Sequence, residues 1–381
     1  VASLTVNTDR ILSNIRKLNA YLMDHDISWT LVTKMLSGYE PVMERLLWAP
    51  CIKTIHSVGD SRISNLRVIK RIRPDIVTMY IKPPAVNQAG NVVKYADISL
   101  NSSSRTIREL SKEARRQDKH HRIVVMLELG ELREGIARDN VIDFYEGIFN
   151  LPNIQVIGLG TNLGCMFGIE PTYDKLIQLN LYAQLVNARF KQHMDLISGG
   201  SSITLPLVAK GRMPRGVNHL RIGETAFLGR SLLTGKRFRD LSTDAFDFSA
   251  EIVEIEKKPA MPDGNITDAG VGHAESLEAA AREGAESFRC LVDFGQLDVE
   301  LDDLELKDKG MRFVGTSSDM TVFDLGSERS KLKVGKQVHF RPKYMAVARL
   351  MNNRYVTKRV VRGSSSSGLD RESRRGIKKE V

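Results

Sequence analysis

Along the first two thirds of the chain, short apolar runs rich in β-branched residues alternate with longer amphipathic stretches. Eight runs fall at residues 29–34, 52–57, 75–80, 96–100, 122–129, 154–161, 194–198 and 218–222. Between them, segments such as 104–116 and 173–189 place apolar residues three and four apart, the spacing of a helix with one buried face. Strand and helix alternating eight times predict parallel strands joined by helical crossovers, closed as a (β/α)8 barrel. After about residue 245 the pattern changes. Strand-like runs at 248–255, 287–293, 311–314, 320–324 and 337–340 follow one another, separated by Gly, Pro and Asp turns, and only 274–286 reads as helical. The expected fold class is therefore α/β: a barrel over residues 1–240, a smaller, mainly β domain over 241–360, and a tail over 361–381.

Bulk composition narrows the functional classes. No apolar stretch approaches the roughly 18 residues that a membrane helix needs. The N-terminus, Val1-Ala2-Ser3-Leu4-Thr5-Val6, has no basic region followed by a long apolar core, so no signal peptide is expected. Three widely spaced cysteines, Cys51, Cys165 and Cys290, give neither a disulfide framework nor a metal-ligand spacing, and point to the cytoplasm with no metal expected. The formal charge of +10 raises the question of nucleic acid. From Lys358 to Val381, however, eight Lys/Arg stand against three Asp/Glu, which is half of that excess. This serine-rich segment, without apolar periodicity, reads as a disordered basic tail. The rest carries no basic stripe interleaved with aromatics, so no nucleic-acid partner is expected.

Candidate chemistry gathers at the predicted carboxyl ends of the barrel strands, where barrel enzymes place their sites. The run Trp29-Thr30-Leu31-Val32-Thr33-Lys34 closes the first strand with a lysine. Desolvation there would favour the neutral amine, which can form a Schiff base with an aldehyde. Glu128 and Arg133 follow strand five, Thr161 and Asn162 close strand six, Ser198-Gly199-Gly200-Ser201-Ser202 follows strand seven, and Arg221-Ile222-Gly223-Glu224 closes strand eight. The glycine-serine loop and the helix start at Gly223-Glu224 both offer unobstructed amides to a phosphate. A phosphate anchor facing a Schiff-base lysine points to pyridoxal 5'-phosphate, with Arg221 against its ring nitrogen. The ordinary alternatives are a lysine snorkelling from a strand end and an arginine in a structural ion pair.

These motifs resemble the alanine racemase family, and within it the branch of ornithine racemases and broad-substrate amino-acid racemases. The likeness rests on Val32-Thr33-Lys34, on Leu127-Glu128-Leu129-Gly130-Glu131-Leu132-Arg133-Glu134-Gly135, and on Gly199-Gly200-Ser201-Ser202. It continues through Leu220-Arg221-Ile222-Gly223-Glu224 and Val314-Gly315-Thr316-Ser317-Ser318-Asp319. The resemblance implies a pyridoxal phosphate-dependent racemase of free amino acids in which Lys34 holds the cofactor and moves the Cα proton. Ser201, Ser202, Gly223, Glu224 and Tyr344 would hold the phosphate, Arg221 would meet the ring nitrogen, and Arg133 would lie near the substrate carboxylate. Ser318 and Asp319 would cover the substrate from a second subunit, implying a homodimer with shared sites. Asn162 stands where the family has a histidine on the ring, and Met126 where it has a lysine. The stretch 293–298 lacks the family's opposite-face tyrosine, which leaves Asp298, His273 and Tyr344 as candidates for a second base. Glu128 and Glu131 would either favour a basic substrate such as ornithine or lysine or stand as ordinary surface carboxylates. A decarboxylase or lyase on the same fold, and a non-catalytic cofactor carrier, are the alternative readings.

Overall fold

The computed structural model describes all residues except Val1, 266, 268, 269, 271, 275–285, 328–331 and 364–381. Strand β1 (Ser3–Asn7) leads directly into helix α1 (Thr8–Met23), and the Asn7 side chain caps that helix by accepting the Arg10 N–H at 3.1 Å. Eight parallel strands then close into a barrel: β2 (Ser28–Val32), β3 (Ser57–Asp60), β4 (Thr78–Tyr80), β5 (Ile98–Asn101), β6 (His121–Met126), β7 (Ile154–Gly160), β8 (Leu196–Ser201) and β9 (His219–Ile222). Interspersed helices are α2 (Glu40–Leu47), α3 (Ile63–Ile72), α4 (Ala89–Tyr95), α5 (Ser104–Arg116), α6 (Val141–Glu146), α7 (Tyr173–Phe190), α8 (Leu205–Ala209) and α9 (Glu224–Leu228). The expected barrel is thus present.

Its strands divide their residues by the two-residue period. Outward-facing Trp29, Leu31, Val58, Ile123, Val125, Leu159, Leu220 and Ile222 join the core beneath the helices. A separate inner cluster of Met79, Ile98, Leu100, Val124, Met126, Ile157 and Leu196 plugs one side of the interior. The other side, lined by β8, β9, β2 and β3, is polar. There Thr30, Ser57, Ser198 and His219 are buried and hydrogen-bonded to one another.

Some strand boundaries differ from the sequence expectation for identifiable reasons. Residues 50–54 form a 3-10 helix headed by Pro50, and the second barrel strand is Ser57–Asp60 instead of 52–57. Its small residues answer a packing demand: a Cβ at Gly59 would lie 2.7 Å from the Thr30 side chain. The first barrel strand ends at Val32, and Lys34 opens a 3-10 turn that closes on Ser37 in the left-handed region (φ 52°). The expected loop beginning at Ser198 is instead strand as far as Ser201.

The second sheet has nine strands and includes the N-terminal β1, paired with β10 (Phe246–Pro259) on one side and β17 (Thr357–Val361) on the other. The rest of it comprises β11 (His273–Ala274), β12 (Glu286–Val292), β13 (Leu304–Leu306), β14 (Arg312–Thr316), β15 (Thr321–Asp324) and β16 (Gln337–Pro342). The five runs expected here are all strands, whereas β1, β11, β13 and β17 were not anticipated. Helix α10 (Tyr344–Asn352) was not anticipated either, and it packs against the 3-10 turn that carries Lys34. The expected helix at 274–286 and the basic tail fall largely outside the described residues; Ala274 and Glu286 themselves are strand. Among the described residues no helix is long and apolar enough to cross a membrane.

Candidate active site

Lys34 stands at the barrel mouth because the chain turns sharply after β2. Thr33 leaves the strand while still tied to β3: its N–H donates to the Gly59 carbonyl at 2.9 Å, and its hydroxyl donates to Asp60 Oδ2 at 3.2 Å. The Lys34 side chain is exposed, so its surroundings are less desolvating than the sequence suggests. Its Nζ lies 5.7 Å from the centre of the Tyr344 ring, within cation–π range. Burial, and then the Glu224 and Asp60 carboxylates, push the Tyr344 phenol well above its ordinary range. Tyr344 therefore carries its proton at neutral pH.

Arg221 projects inward from β9 and is 5% exposed. It donates to the Ser198 hydroxyl and, through Nη2, to the Thr161 carbonyl at 2.7 Å. Both partners are neutral, and among the described residues no carboxylate pairs with it, so the structural ion pair considered above is absent. Burial lowers its proton affinity to a pKa of about 10, still charged at neutral pH. Ser198 Oγ is also 2.8 Å from His219 Nδ1, and His219 Nε2 is 3.0 Å from Thr30 Oγ1. Arginine only donates, so the Ser198 hydrogen is available to Nδ1, and Nε2 keeps the imidazole proton for Thr30. Burial, with His56 and Arg221 adding to it, drives the His219 pKa well below the ordinary value, consistent with this neutral form.

Two loops lie where the phosphate cradle is expected. Ser202 Oγ accepts the Thr225 N–H at 3.3 Å, joining the segment after β8 to α9 and leaving its own hydrogen for an external acceptor. Gly200 (φ +112°) and Gly223 have no room for side chains: a Cβ would come within 2.7 Å of Thr204 Oγ1 and 2.8 Å of the Val32 carbonyl, respectively. Glu224 opens α9, and burial raises its carboxyl to about 7 although Lys34 pulls it back down. Asn162, 8% exposed, has an Nδ2 without a partner. An orphaned donor, two glycines without room for side chains and a free hydroxyl hydrogen, at strand ends of the barrel that also carries Lys34, are donors that a phosphorylated aldehyde requires, so the residues fit pyridoxal 5'-phosphate.

The remaining expected residues are arranged less simply. Arg133 is exposed and pairs with Glu134, with Nη2 2.6 Å from Oε1, while its charge bears on Arg221. Ser201 ends β8. Ser318 donates to Asp319 Oδ2 at 2.8 Å in the turn between β14 and β15. Glu128 accepts backbone N–H groups from Gly130 and Arg133. Glu131, 1% exposed, accepts those of Gly164, Cys165, Met166, Phe167 and Ile169. These two acids organise loops, which corrects their assignment to a basic substrate. Asp298 is likewise engaged, accepting the Gly295 N–H at 3.2 Å and Asn353 Nδ2 at 2.7 Å. His273 is exposed on the short strand β11, stacked 6.5 Å from Phe313.

Sequence reasoning missed Asp60. It is fully buried at the end of β3 and accepts from Thr33, Arg62 N–H (2.9 Å) and Asn65 Nδ2 (3.1 Å). Burial outweighs those donors and raises its pKa to about 6. The signal was a carboxylate ending Ser57-Val58-Gly59-Asp60, a run too small and polar to look like a strand.

Residues 6–231 match the family described as alanine racemase, N-terminal domain. The chain is 32% identical over 304 residues to ornithine racemase of Acetoanaerobium sticklandii, covering 80% of this chain and 84% of that protein. It is 28% identical over 356 residues to lysine racemase of Thermotoga maritima, covering 93% and 97%. The fold is similar to that of alanine racemase from Corynebacterium glutamicum, with a TM-score of 0.70 at 14% identity, covering 94% of this chain and 99% of that one. The family match takes in the whole barrel, from α1 to the residues beyond α9, and the chain belongs to the alanine racemase family.

Proposed function

We propose that this protein, a pyridoxal phosphate-dependent amino-acid racemase, takes a basic amino acid such as ornithine and holds its cofactor through Lys34. The observation that carries the Lys34 assignment is its placement at the barrel mouth, 5.7 Å over Tyr344 and within the field of Glu224, on the face where Arg221 is held buried. The basic side chain is supported by the relatives that act on ornithine and lysine.

In this reading Ser201, Ser202 and Tyr344, with the backbone N–H groups of Gly223 and Glu224, hold the phosphate. Arg221 presents its guanidinium to the ring nitrogen, and Asn162 offers its free Nδ2 to the group. Bound there, pyridoxal phosphate supplies the electron sink that makes a Cα proton removable. Lys34 Nζ accepts or returns that proton on its own side. Ser198 and Thr161 hold Arg221 charged and fixed, so it has no proton to pass to the ring. Arg133 receives the substrate carboxylate once it exchanges Glu134. Ser318 and Asp319 complete the site from a second copy of the chain. A homodimer is supported by exposed apolar residues near the mouth, Leu132 at 72% and Phe167 at 63%. Three free cysteines support a reducing, cytoplasmic setting.

The test combines peptide mapping with chiral analysis. Borohydride treatment of the loaded enzyme and proteolysis are expected to leave the cofactor on the peptide that contains Lys34, and Lys34→Ala is expected to lose the cofactor's absorbance. Incubation with L-ornithine is expected to yield the D-enantiomer. Label on another lysine would overturn the assignment, and racemisation of alanine but not of ornithine or lysine would overturn the substrate class.

A further inference from the structure

We infer that Cys165 is the catalytic acid and base on the side of the barrel mouth away from Lys34. The inference rests on the reading of Lys34 given above. A racemase needs proton-transferring groups on two sides of Cα. Asp298 is occupied by Gly295 and Asn353, His273 is on the edge strand β11, and Tyr344 lies against Lys34 itself, on the same side of the mouth. Cys165 is exposed, in the segment that follows β7. In the closed barrel, β2 and β7 are separated by β9 and β8, three steps around a ring of eight. Lys34 and Cys165 therefore approach a molecule at the mouth from different directions, with Arg221 on β9 between them.

Two independent observations make this a built position instead of a stray thiol. Backbone placement is imposed by Glu131, which accepts the Cys165 N–H and Gly164 N–H, each at 2.8 Å, and three more from the same loop. The sulfur lies 3.6 Å from Asn162 Oδ1, and the other end of that amide, Nδ2, is buried and unpartnered, so the amide beside the thiol has a donor to spare for a bound molecule. The neighbouring Thr161 carbonyl holds Arg221, which ties this loop to the rest of the site.

The proton balance is complete with these two groups. In one direction the Cα–H bond breaks and the proton goes to Lys34 Nζ, and a bound pyridoxal phosphate would hold the electron pair left behind. The Cys165 S–H bond then breaks, its proton forms the new Cα–H bond from the other side, and the sulfur keeps the electron pair as thiolate. In the opposite direction the thiolate takes the proton and the Lys34 ammonium returns one. Solvent resets both groups, since both are exposed.

The experiment uses the loaded enzyme, its Cys165→Ala and Cys165→Ser variants, and both enantiomers of ornithine and lysine in deuterated water. Both variants are expected to keep the cofactor absorbance and lose about 100-fold or more in inversion, the scale of one general acid or base. One enantiomer is expected to continue exchanging its Cα hydrogen without inverting. Ornithine is expected to protect wild-type Cys165 from iodoacetamide. Inversion by either variant at the wild-type rate, or alkylation indifferent to substrate, would overturn Cys165 alone. A wild-type enzyme that exchanges no Cα hydrogen from any of the four would overturn the Lys34 reading and this one with it. Should Cys165→Ala lose the cofactor, Cys165→Ser, which keeps a donor to Asn162, decides the matter.

Discussion

The guanidinium of Arg221, on the eighth barrel strand, donates to the carbonyl oxygen of Thr161, just past the sixth, at 2.7 Å. The contact spans the intervening strand β8, whose Ser198 receives the other arm of the same fork. A point charge on a flexible stem cannot satisfy both. Arg221→Lys is expected to lose one charged hydrogen bond, about 1.5–3 kcal/mol and so about 10- to 100-fold in turnover. Steady-state racemisation, with keto acid measured as a side product, checks this. Unchanged turnover and product ratio would show that the fork has no part in the reaction.

His219 links that fork to the barrel interior. His219→Leu fills a similar space but leaves the Ser198 and Thr30 hydroxyls buried with one partner fewer. The expected cost is about 2–4 kcal/mol by urea unfolding. The pH dependence carries a sign. The folded-state pKa of His219 is lowered, so its contribution is fully present above the unfolded value of 6.5 and declines as pH falls below it. The gap between wild type and variant should therefore narrow from pH 7 toward pH 5, and a gap that widens would contradict a neutral imidazole.

How much of this was legible beforehand depended on what each residue pays attention to in its neighbourhood. The lysine ending a β-branched run and the arginine before Gly223 announce themselves, because strand ends in a barrel converge on one face whatever the loops do. Asp60 did not, since a strand facing a crowded interior is built of small residues and lacks an apolar signature. Glu131 looked like an acid for a substrate because nothing local shows that five amides of a loop over thirty residues later will fold around it. Tyr344 was found by resemblance, while its helix was not, because the apolar face of Tyr344–Asn352 matches a buried strand equally well over so short a span.

Glu131 offers a direct test of loop order. Burial raises its pKa, but the N–H groups of Met166, Gly164, Phe167 and Cys165 outweigh burial and hold it below the ordinary carboxylate value. Glu131→Gln replaces an acceptor oxygen with a donor amide facing other donors. Hydrogen exchange at residues 164–169 is expected to accelerate about 10-fold or more, corresponding to at least one lost charge-assisted bond of about 1.5 kcal/mol. Because the folded pKa is lowered, the wild-type loop should keep its protection above pH 4.5 and lose it as pH falls through the folded value. Equal exchange in the two proteins would mean that the loop is ordered by something else.

Shared sites between subunits make a different kind of prediction. In the proposed composite site, Lys34→Ala and Asp319→Ala would each disable one half, and a mixed dimer would assemble one site with both halves intact. Coexpression under two affinity tags, followed by tandem purification, is expected to recover up to about half of the wild-type sites, the geometric limit for a twofold dimer. Purified mixed dimers without activity would show that each chain's site is self-contained.

Glu224 carries the clearest pH signature. Burial raises its carboxyl from 4.5 to about 7 in the folded protein, against a smaller opposing pull from Lys34. Between those values the folded chain holds a proton that the unfolded chain has released, so stability is fully present below pH 4.5 and is lost as pH rises through about 7. Glu224→Gln keeps the shape and removes the titration. In cofactor-free protein the variant should gain on wild type across this window by about 1–3 kcal/mol and run parallel to it above pH 8. Denaturant midpoints at half-unit pH steps read the difference directly, and a constant offset from pH 4 to pH 9 would place the Glu224 carboxylate in water instead of in a buried setting.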